Sequence, residues 1–199
     1  MLETFQYLDT QLFLFLNGLH NGFWDFVMYW FSNKFIWIPL YIYILYLLYK
    51  HYKKNFLFIL LAIVLLVSAS DLISVYLFKN VFMRLRPCHN PELEGLVHLV
   101  KGHCGGQYGF ISSHAANHFA IATLLSFLLG HRIKYFSSLI FIWAAVIAYS
   151  RIYLGVHYPG DVIAGAVVGV IIGSIIGKIV KVLLLQSKQV REQRHYKAE

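Results

Sequence analysis

Acidic residues are scarce in this sequence, and charge of any kind is sparse. Only 13% of the 199 residues are charged, and nine Asp and Glu residues are outnumbered by seventeen Lys and Arg residues. Hydrophobic residues, in contrast, make up 59% of the chain. A soluble domain of this length could not hide so much apolar surface. The composition therefore excludes an ordinary soluble protein and predicts that a lipid bilayer is part of the solvent.

Further absences narrow the class of protein. The basic residues form no stripe of their own but interrupt long apolar runs, which argues against nucleic-acid binding. The first residues, MLETFQYLD, lack the basic start and cleavage site of a secretory signal peptide, so we expect the whole chain to be retained. The two cysteines, Cys88 and Cys104, share one polar segment. A disulfide in an oxidising compartment is the favoured interpretation, with free thiols or a zinc site as alternatives.

Long apolar stretches predict an all-α fold, a polytopic transmembrane helical bundle with five spans. Four stretches approach the roughly 20 helical residues that cross a hydrocarbon core, and a shorter fifth can span if its N-terminal neighbours extend it or the bilayer thins. The predicted spans are residues 35–49, 55–78, 110–130, 133–149 and 161–185. Residues 4–20 mix Leu and Phe with polar side chains and are expected to form an interfacial amphipathic helix within an N-terminal interfacial segment, residues 1–32. If they instead dip into the membrane, six spans result.

The distribution of basic residues predicts the orientation of the bundle. If the loops at 50–54 and 131–134 and the tail from residue 178 lie inside, eleven of the seventeen Lys and Arg residues are cytoplasmic. The loop at 79–110 then lies outside. We expect a single membrane-embedded domain over residues 1–199, a cytoplasmic tail at 186–199, and a bacterial inner-membrane location with the functional site on the extracytoplasmic face.

A first cationic cluster lies at the outer end of the second predicted span. Lys79 and Arg86 are seven positions apart, so on one helix they would share a face and converge on one point. Pro87 would end that helix just beyond Arg86. Basic residues at a membrane boundary often only extend toward lipid headgroups, so this cluster alone gives weak support for a site.

A second cluster, Ser112, Ser113 and His114, lies where the third predicted span begins. Either serine can cap that helix, and the helix N-terminus attracts anions through its unpaired N–H groups and its dipole. His114 would then lie at the mouth of a phosphate site. Serine-rich helix starts are common, so this cluster also needs support from elsewhere in the chain.

The third cluster is the most specific. It places Arg151, His157 and Asp161 between two apolar stretches, where charged groups are costly and a functional role is the default hypothesis. Pro159 suits the first turn of the last span, so Asp161 lies at the start of that helix. A spacing of four residues lets the Asp161 carboxylate bind one ring nitrogen of His157 and leave the other as a nucleophile. A purely structural ion pair is the alternative.

Together the clusters match what phosphoryl transfer requires. Lys79, Arg86 and Arg151 supply cations for phosphate oxygens. His157 is a candidate nucleophile and His114 a candidate proton donor for the leaving oxygen. Because the predicted topology puts all of them at one face of the membrane, a phosphate site is the interpretation that uses every cluster.

The three clusters resemble the three-part signature of the type 2 phosphatidic acid phosphatase superfamily, K-x6-RP, PSGH and SR-x5-H-x3-D. The first and third parts match at every specified position. The resemblance implies a membrane-embedded lipid phosphatase that needs no metal or other cofactor. In its scheme His157 attacks phosphorus to form a phosphohistidine, Asp161 orients His157, and His114 protonates the leaving oxygen and then activates water. The residues implied to hold the phosphate are Lys79, Arg86, Ser112 and Arg151.

The second part of the signature is altered, because residues 111–114 read Ile-Ser-Ser-His. Ser113 replaces the glycine whose backbone approaches the phosphate, so it is assigned only a candidate backbone contact. If this position required a positive φ, a serine there would be strained. We therefore expect Ser112 and His114 to contribute more to the site than Ser113.

Several functions share this chemistry. The prediction is hydrolysis of a phosphomonoester or diphosphate on a membrane lipid, with undecaprenyl diphosphate, phosphatidylglycerophosphate, phosphatidate and lipid A phosphate as candidate substrates. A lipid phosphotransferase shares the first half-reaction, and a non-catalytic transport or interaction protein is a further alternative, although a transporter would carry charges near the bilayer midplane. A catalytic metal is disfavoured because His114 and His118 lack the intervening Glu of the H-E-x-x-H pattern. The oligomeric state is left open.

Overall fold

The computed structural model describes residues 2–102 and 104–196, and these residues fold mainly into helices, with an irregular segment between residues 83 and 112. A π-helix, Ile73–Lys79, joins the fourth α-helix to the fifth, and an isolated antiparallel bridge pairs Leu85 with Tyr108. The α-helices of the described residues are α1 (Leu2–Gly18), α2 (Gly22–Ser32), α3 (Ile38–Tyr52), α4 (Phe56–Leu72), α5 (Asn80–Phe82), α6 (Ser113–Leu129), α7 (Phe136–Tyr153) and α8 (Pro159–Tyr196). Short 3-10 turns occupy Lys34–Trp37, Lys53–Asn55, Pro87–His89, Pro91–Leu93 and Val100–Gly102.

Membrane-crossing helices account for much of this length. Among the described residues, three helical stretches are long and apolar enough to cross a membrane: Lys34–Phe82, Phe136–Tyr153 and Pro159–Ser187. The first contains Lys53, whose φ of 30° separates α3 from α4. Helices α3 and α6 have 15 and 17 residues, less than the roughly 20 that a full span needs. The all-helical membrane fold is confirmed, whereas the count of five spans stays a prediction.

The N-terminal segment forms two helices: α1 (Leu2–Gly18) lies where the sequence predicted a helix over residues 4–20, and α2 (Gly22–Ser32) follows it. Helix α1 packs into the bundle, since Asp9, Phe13 and Asn17 are buried. The Asn17 amide donates hydrogen bonds to the backbone oxygens of Tyr153 and His98, at 2.8 Å and 3.0 Å. These contacts attach α1 to the end of α7 and to the long loop before α6. A position of residues 1–32 at the membrane interface remains a prediction.

Helix α6 is the centre of the bundle and packs closely against α8. Every fourth residue of α8 from Gly165 to Gly177 is glycine. A Cβ added to Gly165 or Gly173 would lie 2.6 Å from the backbone oxygen of Ser112 or Ala120. Only residues without a side chain allow this approach, as in other membrane helix pairs with small residues at the interface. The contact holds the N-termini of α6 and α8 side by side.

The opposite end of the bundle carries the turns at residues 50–55 and 130–135, here called the basic end. The Tyr52 hydroxyl donates to the Leu128 backbone oxygen at 2.7 Å, and the Asn55 amide donates to the Ser187 hydroxyl at 3.4 Å. The C-termini of α3 and α6, the start of α4 and the part of α8 around Ser187 therefore meet there. The other end, here called the site end, contains the N-termini of α6 and α8 and the C-terminus of α7.

Candidate active site

The first cationic cluster reaches the site through irregular backbone. The predicted single helix carrying both Lys79 and Arg86 is wrong: Lys79 ends the π-helix, α5 ends at Phe82, and Met83 is left-handed with a φ of 44°. The following residues are extended, and their backbone pairs with residues 107–109. The predicted loop at 79–110 consequently begins only after Phe82. Lys79 and Arg86 approach one region from a helix end and from an extended segment.

Arg86 is 9% exposed and is held by backbone oxygens. Its Nε donates to the Tyr108 oxygen and its Nη1 to the Cys104 oxygen, each at 3.3 Å. Cys104 is disulfide-bonded to Cys88, with 6.0 Å between their Cα atoms, so the favoured interpretation of the two cysteines matches the structure. The disulfide ties together the loop whose carbonyl groups position the Arg86 guanidinium.

The start of α6 is tied to the start of α8. Ser112 is the N-cap, and its Oγ accepts from the Ala115 N–H at 3.5 Å. The Ser112 N–H in turn donates to the backbone oxygen of Asp161 at 3.0 Å. Ser113 is the first residue of α6 and has no positive φ. The backbone strain that a positive φ would impose on a serine at this position is therefore absent. The Ser113 Oγ accepts a hydrogen bond of 2.8 Å from Lys79 Nζ, a side-chain contact that the sequence did not predict. The backbone contact of Ser113 with phosphate stays a prediction.

The third cluster bends back on itself between α7 and α8. Gly155 has a φ of +78°, and a Cβ there would lie 2.7 Å from the backbone oxygen of His98. Glycine is therefore required at this turn. The turn brings Nδ1 of His157 to 3.3 Å from Oδ2 of Asp161. The same oxygen accepts from the Tyr158 N–H at 3.1 Å, which fixes the carboxylate in place.

The environment of His157 favours a neutral imidazole. Its side chain is 1% exposed. Burial lowers the pKa of His157 well below its usual range, and the charges of Arg86, Arg151 and Lys79 lower this pKa further. With Nδ1 donating to Asp161, the other ring nitrogen, Nε2, keeps a lone pair at neutral pH. A buried neutral histidine surrounded by cations is suited to attack an anionic phosphate.

Arg151 and His114 complete the group of predicted residues. The Arg151 guanidinium donates through Nη1 to the Ser32 hydroxyl, and within the described part of the chain its buried Nε has no hydrogen-bond partner. His114 lies in the first turn of α6 and directly follows Ser113, whose Oγ accepts from Lys79 Nζ at 2.8 Å. The structure thus brings the three clusters together at the site end.

Two charged residues at the site were missed in the sequence. Arg84 donates from Nη1 to Oδ1 of Asp161 at 2.9 Å and from Nη2 to Oδ2 of Asp9 at 2.7 Å. Asp9 could have been recognised in the sequence as a residue that needs a partner, since an acidic residue in an apolar helix is costly unless it is paired. Gly109 was also missed: a Cβ there would lie 3.0 Å from Oδ2 of Asp161, so a side chain would crowd the carboxylate.

The fold and the site define a class of protein. A membrane helical bundle gathers three cations, a carboxylate-bound histidine, a second histidine and a helix N-terminus at one end, which is the equipment for phosphoryl transfer. Residues 54–183 match the model of the PAP2 superfamily. The chain belongs to this family, and it is an integral membrane enzyme, a lipid phosphatase.

Curated relatives share most of the chain. A lipid A 4'-phosphatase of Bacteroides thetaiotaomicron is 44% identical over 171 residues, which cover 84% of this chain and 75% of the relative. A lipid A 4'-phosphatase of Porphyromonas gingivalis is 38% identical over 161 residues, covering 80% of this chain and 67% of the relative. The sequence-based identification of the family is therefore confirmed.

A solved structure shares the fold. The transmembrane PAP2-type phosphatidylglycerolphosphate phosphatase of Bacillus subtilis superimposes with a TM-score of 0.68 at 20% identity, covering 89% of this chain and 87% of that chain. At this identity the likeness concerns the fold alone. It supports the prediction of a polytopic helical membrane protein, while the roles of individual site residues stay predictions.

Proposed function

We propose that this enzyme hydrolyses the 4'-phosphate of lipid A through a phosphohistidine intermediate. The site feature that carries the mechanism is the buried His157, bonded through Nδ1 to Asp161 at 3.3 Å among three cations. The substrate is argued from the two relatives of 44% and 38% identity that are named for this activity. This choice selects one of the four lipid phosphates that the sequence left open.

Binding of the phosphate is assigned to Lys79, Arg86, Arg151 and the N-terminus of α6. Arginine binds phosphate with a planar fork of donors, and Arg151 retains an Nε without a partner in the described residues. The hydroxyl of Ser112 already accepts from the Ala115 N–H at 3.5 Å, so it can still donate to a phosphate oxygen. The cations neutralise charge that builds on the transferring group.

Transfer then proceeds in two steps. In the first, Nε2 of His157 attacks phosphorus while the bond from phosphorus to the sugar oxygen breaks, and His114 gives that oxygen a proton. Asp161 stabilises the positive charge that His157 gains. In the second, His114 takes a proton from water, the water oxygen attacks phosphorus, and the bond from phosphorus to Nε2 breaks to release inorganic phosphate. No metal takes part in this scheme.

The site end is assigned to the extracytoplasmic face of a bacterial inner membrane. The basic end contains Lys50, Lys53, Lys54, Arg132 and Lys134, and basic residues favour the cytoplasmic side. The exposed residues Leu96 and Tyr135, 61% and 67% accessible, test this orientation. In intact cells an impermeant thiol reagent should label Leu96→Cys and not Tyr135→Cys. The reverse labelling would reverse the orientation.

Phosphate release by the purified enzyme tests the substrate and the nucleophile. Lipid A 4'-phosphate, phosphatidylglycerophosphate, undecaprenyl diphosphate and phosphatidate should be compared at equal surface concentration, with and without EDTA. We expect fastest release from lipid A 4'-phosphate, no effect of EDTA, and no release by His157→Ala. His131→Ala, which alters an exposed histidine at the basic end, is the matched control and should keep full activity.

Each other outcome of this assay has a defined meaning. Faster phosphate release from another lipid would overturn the assignment of lipid A 4'-phosphate as the substrate. Loss of activity with EDTA would overturn the metal-independent scheme. Phosphate transfer to a second lipid without release of inorganic phosphate would make the enzyme a phosphotransferase. Full activity of His157→Ala would overturn the assignment of the nucleophile.

A further inference from the structure

An unbroken series of charged contacts connects helix α1 to the carboxylate beside His157. Oδ2 of Asp9 lies 2.7 Å from Nη2 of Arg84, and Nη1 of Arg84 lies 2.9 Å from Oδ1 of Asp161. Oδ2 of Asp161 lies 3.3 Å from Nδ1 of His157. The Asp161 carboxylate thus uses one oxygen for Arg84 and the other for His157.

The contacts are shielded from water. The side chains of Asp9, Arg84 and Asp161 are 4%, 18% and 0% exposed. The guanidinium of Arg84 also lies over the Tyr158 ring, 4.0 Å from its centroid. Charges so deeply buried interact more strongly than surface ion pairs, and removing one partner leaves another without compensation. A change in the charge or position of one residue in the series therefore alters the electrostatic interactions of the next residue.

The backbone at the start of α8 is shaped to receive Asp9. The Gly160 N–H donates to Oδ1 of Asp9 at 2.7 Å. A Cβ at Gly160 would lie 2.7 Å from Oδ2 of Asp9, so a larger residue would push the carboxylate away. Asp9 therefore contacts α8 one residue before Asp161 and also contacts Arg84.

Asp9 changes the net charge of the group that it forms with Arg84 and Asp161. Arg84 alone would neutralise Asp161, because one guanidinium balances one carboxylate. With Asp9 present, two carboxylates share one guanidinium, and the group keeps one net negative charge. That charge is what stabilises His157 when it becomes positive during attack on phosphorus.

We propose that Asp9 is a positioning residue for phosphoryl transfer: by sharing Arg84 it leaves Asp161 negative enough to orient His157 and to stabilise its positive charge. Helix α1 is thereby part of the active site although it contributes no group that touches phosphate. The inference rests on the proposed function, because it takes His157 and Asp161 as the reacting pair.

A purely structural role for Asp9 is the competing explanation. Helix α1 is already attached without it, since Phe13 and Asn17 are fully or almost fully buried and Asn17 bonds to two backbone oxygens. An anchor would not require a charge at Asp9, since a neutral amide could accept from the Gly160 N–H equally well. The two explanations therefore differ in what happens when only the charge is removed.

The test removes the charge and keeps the shape. Asp9→Asn keeps an oxygen for the Gly160 N–H, and it should lower kcat on the order of tenfold, as for groups that orient a catalytic residue through a second one. KM should stay near the wild-type value. The thermal midpoint should fall, because the new amide NH2 group faces Arg84 Nη2 in place of the oxygen that accepted from it, so kcat is measured well below that midpoint. Asp25→Asn is the matched control: Asp25 accepts from the Tyr153 hydroxyl at 2.8 Å, so it joins α2 to α7 without touching Asp161, and kcat should not change.

A double mutant asks whether Asp9 acts through Arg84. In an Arg84→Gln background, Asp9→Asn should have little further effect on kcat, because the residue that transmits its charge is gone. Equal losses in both backgrounds would overturn the proposal. So would an unchanged kcat in Asp9→Asn, or a loss confined to the thermal midpoint. If Asp9→Asn does not fold, Gly160→Ala displaces the carboxylate and should lower kcat in its place, and an unchanged kcat would again overturn the proposal.

Failure of the proposed function and failure of the inference about Asp9 give different results. The wild-type enzyme and His157→Ala are assayed beside the variants with lipid A 4'-phosphate as the probe. Absence of release by wild type, or release by His157→Ala, contradicts the proposed function. Normal behaviour of these two, together with a wild-type kcat in Asp9→Asn, contradicts only the inference about Asp9.

Discussion

The two ends of the helical bundle hold their positive charges in different ways. At the site end, Arg84 and Arg86 are bonded to carboxylates or backbone oxygens at 2.7 to 3.3 Å. At the basic end, Arg132 and Lys134 are exposed and lie over tyrosine rings, 5.3 Å and 4.7 Å from the ring centroids. Ion pairs with carboxylates occur at the site end only, as far as the described residues extend.

The difference indicates two uses of the same residue type. An exposed cation interacts weakly with its neighbours because water screens its charge, and it affects orientation in the membrane more than stability. A cation held in a fixed, poorly hydrated position is preorganised for an anion. Substitutions of matched residues at the two ends should therefore have very different effects.

The largest difference is expected for arginine. Arg86→Ala should lower kcat/KM on the order of a hundredfold, because it removes one preorganised donor to the phosphate. Arg132→Ala removes one arginine from the basic end and should leave kcat/KM unchanged. Steady-state phosphate release measures both.

Arg86→Lys separates charge from geometry. It should restore only part of the lost kcat/KM, since lysine lacks the planar fork of donors. Equal effects of Arg86→Ala and Arg132→Ala would contradict the contrast between the two ends.

A smaller effect is expected for the disulfide of the site end. The double substitution Cys88→Ser with Cys104→Ser should lower the free energy of unfolding by about 2–4 kcal/mol, visible as a lower thermal midpoint. Activity should fall less than in Arg86→Ala, because the loop still holds Arg86 through two backbone oxygens.

A reductant provides the control for the disulfide. It should lower the thermal midpoint of the wild-type enzyme and leave that of the double variant unaltered. A wild-type midpoint that does not respond to reductant would argue that the Cys88–Cys104 bond contributes nothing to the site end.

The smallest effect is expected at Ser113. Ser113→Ala removes one acceptor from Lys79 Nζ, a contact of 2.8 Å, and a hydrogen bond to a charged group contributes about 1.5–3 kcal/mol to stability. The expected fall in kcat/KM is smaller, about threefold, because Lys79 keeps its charge for the phosphate and loses only a group that orients it. Ser138→Ala, on the exposed side of α7 near the basic end, is the matched control and should change nothing. A loss as large as that of Arg86→Ala would assign Ser113 a direct catalytic role.

Local sequence patterns were sufficient where contacts are local. The four-residue spacing of His157 and Asp161 at a helix start predicted a contact that the structure has at 3.3 Å. A serine N-cap was predicted at Ser112 or Ser113 and is present at Ser112 for the same reason, since a cap depends only on the next few residues. Long apolar runs predicted the helices, although α6 begins at Ser113 and not at residue 110.

Contacts between distant segments could not be derived from the sequence. The prediction for Lys79 and Arg86 assumed an uninterrupted α-helix, whereas a π-helix and a left-handed Met83 intervene. Neither the π-helix nor the left-handed Met83 has a reliable sequence pattern. Most residues other than glycine avoid positive φ, so nothing in the sequence predicted a positive φ at Met83. The contact of Asp9 with Gly160 spans 151 positions and depends on how α1 docks against α8.

Direct detection of the phosphoenzyme tests the central claim. The enzyme should be mixed with lipid A 4'-phosphate carrying a radioactive phosphate, quenched in alkali within one turnover, and digested for peptide analysis. The account predicts a phosphohistidine on the peptide containing His157, absent from His157→Ala and still formed by His131→Ala. Turnover by the wild-type enzyme with no label on His157, or label on His114 instead, would contradict the account.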